Sequence, residues 1–539
     1  MTDPIRHIAI VGGGTAGWLS ALMLTTAINR RVQTPGIRCR VTLIESATIP
    51  TVGVGEATIP TLRQLFNFLE LDEAEWMVRC NATFKLGIKF DNWSGVPGFD
   101  TYWHSFGGVT PIVNGVNLLH HLLRDQLHGR SQVFNSQQYH RENLLAMAHR
   151  SPKQKNEANY NGSVAYAYHL DAGLLGGYLK EKALERGVCH VVDDVVDVAL
   201  NEQGFISYLN TRMHGDLQAD FFVDCSGFKG LLINQALGES FDSYEDSLFC
   251  DRAIALSLPT DITQHPINPY TTATALNYGW AWHTPLFGRS GNGYVYSSKF
   301  ISSAAAEAEF RTYLGPAAQN REVRHLKMRV GKAHRNWVKN CVSIGLSGGF
   351  IEPLESTGIY LIETGLKKFL ELFPDRHCSP ALARRYNRKM TEIYEEIRDF
   401  IVFHYCTTQR EDTPFWQANK FHGAIPNSLQ EKLELFEVML PNFDLLDRPE
   451  LFADYSYVAV LCGMNHLPKE SLPVLDYAAT QDVDNVLHQL AQEANQLKQD
   501  LPDHTRYLEW QQHKIRPKKS RSKQSTATYS ACLTPLVAG

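Results

Sequence analysis

The chain begins with a short apolar segment, residues 8–11, that runs directly into a glycine-rich turn. Gly12, Gly14 and Gly17 have the G-x-G-x-x-G spacing. In that motif the first glycine makes the turn, the second lets a pyrophosphate approach, and the third lets a helix pack on the strand. We predict a helix from about Trp18, whose unpaired N–H groups and positive dipole end face the phosphates.

An acidic residue supports this interpretation. Glu45 follows the next strand-like segment, residues 41–44, and can accept a hydrogen bond from a ribose hydroxyl. The gap between the turn and Glu45 exceeds the usual separation of about 20 residues, which implies an insertion around residues 30–36. Together these features predict a dinucleotide site. The alternative is a glycine turn that only packs.

Composition narrows the class of protein. The chain has 539 residues, 44% of them hydrophobic and 20% charged, with a net charge of −5. This length accommodates two or three domains, and the charge does not indicate a nucleic acid or a membrane surface as partner. The first residues do not show a positively charged segment followed by a long apolar one, and no apolar run reaches the about 18 residues that span a bilayer. Ten cysteines without C-x-x-C spacing favour neither a metal site nor a disulfide framework. We therefore expect a cytoplasmic protein.

Two segments after the first turn carry candidate polar groups. Residues 82–90 alternate apolar and polar, as in a half-buried strand, so Lys85 taken alone is most simply a solvated strand residue. Residues 102–108 are rich in aromatics and contain His104, which fits a strand and turn under a core. After Glu45, residues 50–60 are expected to form a loop that leads into a helix. This loop is either a plain connection between a strand and a helix or a strap that lies against a cofactor.

The middle of the chain adds a second small-residue turn and a tryptophan pair. The apolar strand at residues 221–224 ends in a turn that suits a flavin-sized dinucleotide or an ordinary connection. Trp280 and Trp282 point to the same face of a strand that Pro285 is expected to end. Such a pair walls either a core or a pocket.

The last glycine turn follows a strand at residues 341–344 and leads to a helix that starts at residues 356–358, where free N–H groups form an anion site. We expect an irregular loop or lid at residues 131–162. Residues 379–510 are mainly helical by periodicity, and the basic end, residues 513–539, is expected to be a mobile tail.

These motifs together resemble one family, the flavin-dependent halogenases of the tryptophan/indole type. The specific signals are the Trp-x-Trp pair and the Leu-Glu-Ser-Thr-Gly run, and the family pattern W-x-W-x-I-P is met except that Thr284 replaces isoleucine. In chain order the motifs are Gly12-x-Gly14-x-x-Gly17, Gly53-x-Gly55-Glu56-Ala57-Thr58, Ala82-Thr83-Phe84-Lys85, Gly279-Trp280-Ala281-Trp282-His283-Thr284-Pro285 and Pro353-Leu354-Glu355-Ser356-Thr357-Gly358.

The resemblance implies an α/β fold of the flavoprotein-monooxygenase type, with an interleaved β-rich substrate region and a helical C-terminal subdomain. The FAD-binding domain would cover residues 1–375, including β-rich substrate-facing segments at about 82–165 and 245–330. The helical substrate subdomain would cover residues 376–512, followed by the basic flexible tail, residues 513–539.

The resemblance also implies roles for individual residues. Lys85 would present the halogen, as hydrogen-bonded hypohalous acid or as a haloamine, and Glu355 would orient it and help to remove the ring proton. Thr357 and Gly358 would hold the halide through backbone N–H groups. Ser356 would act as a relay in a tunnel that carries the oxidant from the flavin to the aromatic substrate. The cofactor residues would be Gly12, Gly14, Thr15, Ala16, Gly17, Glu45, Gly55, Ala57, Val195, Gly345, Leu346 and Ile359. The substrate contacts would be His104, Phe106, Pro353, Phe452 and Tyr455, with Trp280 and Trp282 as the wall on the flavin side.

The implied activity is halogenation of an electron-rich aromatic, with FAD in its reduced form, oxygen, and chloride or bromide. Because no second nicotinamide-binding unit is evident, a separate NADH-dependent flavin reductase is expected as partner of a monomer or homodimer. Tryptophan, free indole and an indole derivative all stay open as substrates. The alternatives are a single-component flavin hydroxylase or epoxidase, and a flavin-binding scaffold without catalysis.

Overall fold

The computed structural model describes residues 3–29, 38–49, 55–107, 111–130, 140–442, 446, 451–477 and 481–515. The expected insertion around residues 30–36 and all but the first three residues of the basic tail lie outside the described residues, as do residues 50–54 of the loop after Glu45.

The strands of the N-terminal part of the chain are β1 (His7–Val11), β2 (Arg40–Glu45), β3 (Gly55–Ala57), β4 (Thr83–Lys85), β5 (Gly87–Asp91), β6 (Thr101–Ser105), β7 (Ile112–Val113), β8 (Val116–Asn117), β9 (Ala167–Asp171), β10 (Cys189–Val192), β11 (Val195–Leu200), β12 (Ile206–Thr211), β13 (Gly215–Gln218) and β14 (Phe221–Asp224). The later strands are β15 (Phe241–Ser243), β16 (Arg252–Pro259), β17 (Thr271–Ala275), β18 (Gly279–Leu286), β19 (Arg289–Tyr296), β20 (Arg324–Lys327), β21 (Gly331–Ala333), β22 (Trp337–Val338), β23 (Cys341–Ser343) and β24 (Gly349–Phe350).

The helices are α1 (Thr15–Asn29), α2 (Thr61–Phe68), α3 (Glu73–Arg79), α4 (Leu118–Leu127), α5 (Arg141–Met147), α6 (Ala172–Glu185), α7 (Ser303–Leu314), α8 (Gly358–Glu371), α9 (Pro380–Cys406), α10 (Pro414–Phe421), α11 (Asn427–Phe436), α12 (Asp454–Gly463), α13 (Gln481–Asp500) and α14 (His504–Ile515).

A largely parallel sheet forms one half of the molecule, with the strand order β10-β2-β1-β14-β23-β22. Strands β10, β2, β1, β14 and β23 run parallel, and only β22 is antiparallel to its neighbour. Helices α6 and α8 both pack against α1 beside this sheet. Because the carboxyl ends of parallel strands share one edge, the turns after β1, β2, β14 and β23 meet there, where α/β sheets bind ligands.

A second, seven-stranded sheet has the order β20-β16-β19-β18-β17-β5-β6. It carries Trp280 and Trp282 on β18 and His104 on β6. A small sheet of β3, β9 and β4 lies beside it and carries Lys85. The Thr83 hydroxyl donates to the backbone oxygen of Pro285 at 2.7 Å, so the small sheet is tied to β18.

The prediction of one strand over residues 82–90 was wrong. The chain leaves the small sheet at Leu86, whose N–H donates to the backbone oxygen of Pro269 at 2.8 Å. Strand β4 then pairs with β9, whereas β5 pairs with β6 and β17. Lys85 is consequently 0% exposed and is not a solvated strand residue.

Three other sequence expectations need correction. The first helix begins at Thr15 rather than Trp18. The segment expected to be an irregular loop contains α5. Strand β18 does not end at Pro285 but pairs through Leu286 with β19. Proline is tolerated there because β17, on the other side of β18, pairs only as far as His283, so no partner needs the missing N–H.

Helices form most of the described chain beyond α8, as the periodicity predicts. The longest, α9, buries its apolar face from Tyr386 to Tyr405. Among the described residues, no helix combines the length and the apolar character needed to cross a membrane.

Candidate functional site

The crevice at the carboxyl edge of the parallel sheet is built from backbone that approaches backbone closely. Gly12 has φ +116°, and a Cβ there would overlap the backbone oxygen of Cys225, which follows β14. Gly345, which follows β23, has φ +75°, and a Cβ there would lie 2.8 Å from the Cβ of Ala16. Only glycine fits both positions. The first and last glycine turns of the sequence therefore meet at one edge.

Glu45 ends β2 beside the same turn. Its Oε1 accepts hydrogen bonds from Lys180 at 2.9 Å and from His190 at 2.7 Å, while a Cβ at Gly13 would overlap Oε2. The carboxylate is thus held at the mouth of the first turn, where a ribose would lie. Val195 begins β11 just beyond, and Asp193 donates its N–H to the backbone oxygen of Glu45 at 3.0 Å.

The remaining residues expected at the cofactor are divided between the same edge and the small sheet. Leu346 follows Gly345 in a single 3-10 turn, and Ile359 is buried in the first turn of α8. Gly55 and Ala57 form β3, which pairs with β9, and Gly55 packs closely on the backbone of Gly291.

Lys85 lies in a completely buried position at the end of β4. Its ammonium donates to Ser356 Oγ at 2.8 Å and to the backbone oxygen of Thr58 at 3.1 Å, and Nζ lies 5.0 Å from the Phe106 ring centroid. Burial lowers the pKa of Lys85 to about 7, although the charge of Glu355 opposes the shift. A lysine poised near neutrality can give or accept a proton at physiological pH.

Glu355 is held by two histidines. His104 Nδ1 lies 2.8 Å from Oε2, and His404 Nε2 lies 2.9 Å from Oε1. Burial alone would raise the pKa of Glu355, but the charge and hydrogen bond of His104, together with the hydrogen bond of His404, outweigh it and hold the pKa at about 2. The carboxylate is therefore ionised at neutral pH. It forms no direct ion pair with Lys85 in the part of the chain that the structure describes.

The residues after Glu355 form a cradle of backbone N–H groups. Ser356 has φ 61° and ψ 35°, and Thr357 has φ −87° and ψ −3°, so a left-handed residue precedes a right-handed one. Successive N–H groups in such a pair converge as an anion nest. Gly358 begins α8, so its N–H has no partner inside the helix, and the first turn of α8 contains no acid. The buried Thr357 hydroxyl has no hydrogen-bond partner among the described residues.

The tryptophan pair lies on β18, with ring centroids 6.2 Å apart. Trp280 is buried, and its indole N–H donates to Glu352 at 3.1 Å. Trp282 is half-buried and lies over Gly293 of β19, where any Cβ would overlap the indole. Thr284 is buried on the same strand opposite Gly291.

Aromatic rings surround His104 on the other side of Glu355. Ring centroids lie 6.3 Å from His104 to Phe452 and 6.2 Å to Tyr455. Phe452 stacks on Phe400 of α9 with centroids 3.9 Å apart. Pro353 begins the short 3-10 turn that ends at Glu355. His104 lies on β6, Phe400 on α9 and Tyr455 in the first turn of α12. Phe452 lies just before α12, and Pro353 lies before α8, so the group meets only in the folded chain.

Comparison with known proteins identifies the class to which this architecture belongs. Residues 7–480 match the tryptophan halogenase family. The tryptophan 6-halogenase SttH of Streptomyces toxytricini is 40% identical over 88% of this chain and 92% of its own length. The tryptophan 7-halogenase RebH of Lentzea aerocolonigenes is 36% identical over 95% of this chain and 100% of its own length.

The chain belongs to the flavin-dependent tryptophan halogenase family. Solved structures agree. The crystal structure of SttH superposes with a TM-score of 0.86 at 39% identity, covering 94% of this chain and 99% of that one. Tar14, a tryptophan C-6 flavin-dependent halogenase from taromycin biosynthesis, gives the same TM-score, identity and coverage. The halogenase resemblance and the mixed α/β fold expected from the sequence are thereby confirmed.

Sequence reasoning missed several groups at the centre of this halogenase. Tyr102 could have been found, because it shares a strand face with His104 at a spacing of two residues. His404 gave no signal beyond a single polar residue in the apolar run of α9. Ser456 and the backbone oxygen of Thr58 reach the site only through tertiary contacts.

Proposed function

We propose that this halogenase uses FADH2, oxygen and chloride or bromide to halogenate an indole ring, with Lys85 delivering the electrophilic halogen. The observation that carries the proposal is the position of Lys85. Its ammonium is fully buried, hydrogen-bonded to Ser356, and near enough to Glu355 for that charge to act on it. A buried lysine beside an ionised carboxylate is costly for a fold to maintain, and packing alone does not require it.

The crevice at the sheet edge fits a flavin dinucleotide. Glycine at positions 12 and 345 lets the turns after β1 and β23 come together at this edge, beside the N-terminal end of α1, and Glu45 is positioned for a ribose hydroxyl. Bound FAD in its reduced form would supply, with oxygen, the two-electron oxidation of the halide to hypohalous acid.

The residues of the chain then handle the halide and the proton. Thr357 and Gly358 would hold the halide by their backbone N–H groups. The nearby Glu355 carboxylate already receives two imidazole hydrogen bonds, so it does not compete with the halide for these N–H groups. Lys85 would orient hypohalous acid or carry the halogen on its nitrogen. Glu355 would accept the proton that the ring loses after attack, since a ring cation is acidic enough to protonate a weakly basic carboxylate.

The shape of the aromatic surroundings supports a flat ring as substrate. His104, Phe106, Phe452 and Tyr455 would contact that ring, and Trp280 with Trp282 would keep it away from the flavin. Since the relatives are named tryptophan 6- and 7-halogenases, tryptophan is the first substrate to test, followed by free indole and larger indoles.

The experiment is a substrate and halide panel. The protein is incubated with FAD, NADH, a flavin reductase, oxygen and either bromide or chloride, and products are identified by mass and by halogen isotope pattern. A halogenated indole that requires the reductase supports the proposal. Hydroxylated product formed from NADH without any reductase would instead identify a single-component hydroxylase. Absence of product from every indole, phenol and pyrrole would refute halogenation.

A further inference from the structure

Each oxygen of Glu355 faces its own imidazole. His104 Nδ1, on β6, lies 2.8 Å from Oε2, and His404 Nε2, on α9, lies 2.9 Å from Oε1. His104 belongs to the expected substrate contacts, but His404 has no part in the proposed reaction. Its side chain is 0% exposed, so water does not reach the imidazole.

A hydroxyl group stands behind each imidazole. The Tyr102 hydroxyl lies 2.7 Å from His404 Nδ1, and the Ser456 hydroxyl lies 2.9 Å from His104 Nε2. A neutral imidazole has one donor and one acceptor nitrogen. If the tyrosine hydroxyl donates to Nδ1, the proton of His404 is on Nε2, which points at the carboxylate. The partner on one nitrogen thus selects the tautomer that serves the other.

Packing fixes the ring of His404 in this position. The imidazole stacks on Phe90 with centroids 4.8 Å apart and meets Phe400 edge-on at 5.1 Å. Tyr102 itself is stacked on Phe90 at 4.6 Å. Burial lowers the pKa of His404 even though Glu355 opposes the shift, which favours the neutral ring that this hydrogen-bond pattern requires.

We infer that His404 is a positioning residue for Glu355, with its Nε2–H holding Oε1 while Tyr102 fixes its tautomer. The inference rests on the proposed function and deepens it. Held from both sides, the carboxylate keeps one orientation and stays ionised, so its remaining lone pairs are available to the electrophile and to the ring proton. Without His404, the same carboxylate would be buried with one imidazole hydrogen bond instead of two.

The expected signature is a shift in pH dependence. The ionisable groups that face Glu355 are His104, His404 and Lys85, with the phenols of Tyr102 and Tyr455 close enough to be influenced by its charge. Losing one charge-assisted hydrogen bond to a buried carboxylate raises its pKa by roughly one unit or more. The titration of the Glu355 carboxylate, followed by infrared pH-difference spectra, should therefore move to higher pH.

The test compares His404→Phe, which removes the donor, with His404→Gln, which keeps an N–H donor of similar reach. Tyr102→Phe removes only the tautomer control, and His120→Gln serves as a matched buried-histidine control outside this cluster. We expect kcat to fall at least tenfold in His404→Phe, with the Glu355 titration raised by about one pH unit. His404→Gln should restore much of both, Tyr102→Phe should show a smaller shift in the same direction, and His120→Gln should leave the Glu355 titration in place.

An unmoved Glu355 titration in His404→Phe, with the protein folded, would overturn the inference. Should His404→Phe fail to fold, Tyr102→Phe and His404→Gln carry the test, and an unmoved Glu355 titration in Tyr102→Phe would count against it. Infrared pH-difference spectra, with Glu355→Gln as the subtracted reference, follow protonation of Glu355 without turnover. They separate the two outcomes: a wild type that halogenates nothing refutes the proposed function, whereas an unchanged Glu355 titration in His404→Phe refutes only the role of His404.

Discussion

Lys85 is the residue whose environment is hardest to explain by folding alone. Its ammonium is buried with one hydroxyl and one carbonyl as partners and no carboxylate in direct contact among the described residues. The fold keeps a charge-bearing group where an apolar side chain would be easier to accommodate. Active sites commonly hold such groups at a cost in the free energy of unfolding. Replacing the lysine makes that cost measurable.

Replacing Lys85 by methionine should stabilise the protein in a pH-dependent manner. Burial lowers the pKa of Lys85 from 10.5 to about 7, so between these values the unfolded chain binds more protons than the folded one. Stability of the wild type therefore rises with pH in this window. Lys85→Met should melt higher at pH 6, by about 2 °C or more, and the difference should shrink as the pH is raised towards 10. Thermal melts across this range check it, and a gap that is constant with pH would contradict it.

The Ser356 hydroxyl should matter for rate. It accepts a 2.8 Å hydrogen bond from Lys85, and its loss would leave the ammonium with Thr58 alone. We expect Ser356→Ala to lower kcat about tenfold, which corresponds to about 1.4 kcal/mol. Ser356 has φ 61°, so Ser356→Gly removes the same hydroxyl while relieving the backbone. Equal losses in the two variants, measured by single-turnover halogenation, assign the effect to the hydroxyl. Wild-type rates in both would show that the hydroxyl is dispensable.

At the level of elements, the cofactor crevice depends on two turns that touch. Gly345 follows β23 and faces Ala16 at the start of α1, although the two are distant in sequence. The parallel order β2-β1-β14-β23 is what brings these turns to one edge. A side chain at Gly345 would push them apart, because its Cβ would lie 2.8 Å from the Cβ of Ala16.

Gly345→Ala should therefore weaken both folding and FAD binding. A non-glycine residue at φ +75° costs about 1–2 kcal/mol of stability, and the contact with Ala16 adds to that cost. Gly238 is a matched control, since it has φ +66° but open space around its Cα. Gly238→Ala should lose stability through strain alone and bind FAD normally. Denaturant unfolding and fluorescence titration with FAD distinguish the two variants. Equal FAD affinity in both would contradict this account of the crevice.

Elements near the first and last glycine turns were predictable because their signals are local. Strand β1 and the start of α8 follow from apolar runs and turn residues that lie next to each other in sequence. The break at Leu86 was not predictable, since the chain turns there to donate to Pro269, which lies just before β17 of the seven-stranded sheet. Alternation of apolar and polar residues continues across the break, so periodicity alone joins two strands that belong to different sheets.

The residues of the candidate site also divide into those with a local sequence signal and those that depend on long-range contacts. Lys85, Glu355 and His104 carry recognisable motifs, whereas His404 lies in an apolar helix run where a histidine is usually a core residue. Its contact with Glu355 depends on how the C-terminal end of α9 packs against Phe90 of β5 and Tyr102 of β6, and that packing arises from long-range burial. A family resemblance supplies motif positions, but a partner that joins the site through tertiary packing becomes evident only from coordinates.

On the scale of the whole molecule, the oxidant would form in one region and the ring would react in another. The proposed FAD crevice lies at the edge of the parallel sheet, while Lys85 belongs to the small sheet, His104 to the seven-stranded sheet and Glu355 to the turn before α8. The Trp280–Trp282 pair on β18 is the proposed barrier between the two regions. Under this proposal the oxidant could form without substrate, and Lys85 would deliver the halogen to the ring.

The most direct test is the yield of halogenated tryptophan or indole per FADH2 oxidised, in the wild type and in Lys85→Met, with bromide and a flavin reductase. We expect product from the wild type. Lys85→Met should oxidise FADH2 at a similar rate with the product yield lowered at least a hundredfold, which is within the range of positioned acid–base catalysis, about 10²–10⁴. Equal product yields in the two proteins would contradict the assignment of Lys85 and, with it, the proposed route of the halogen.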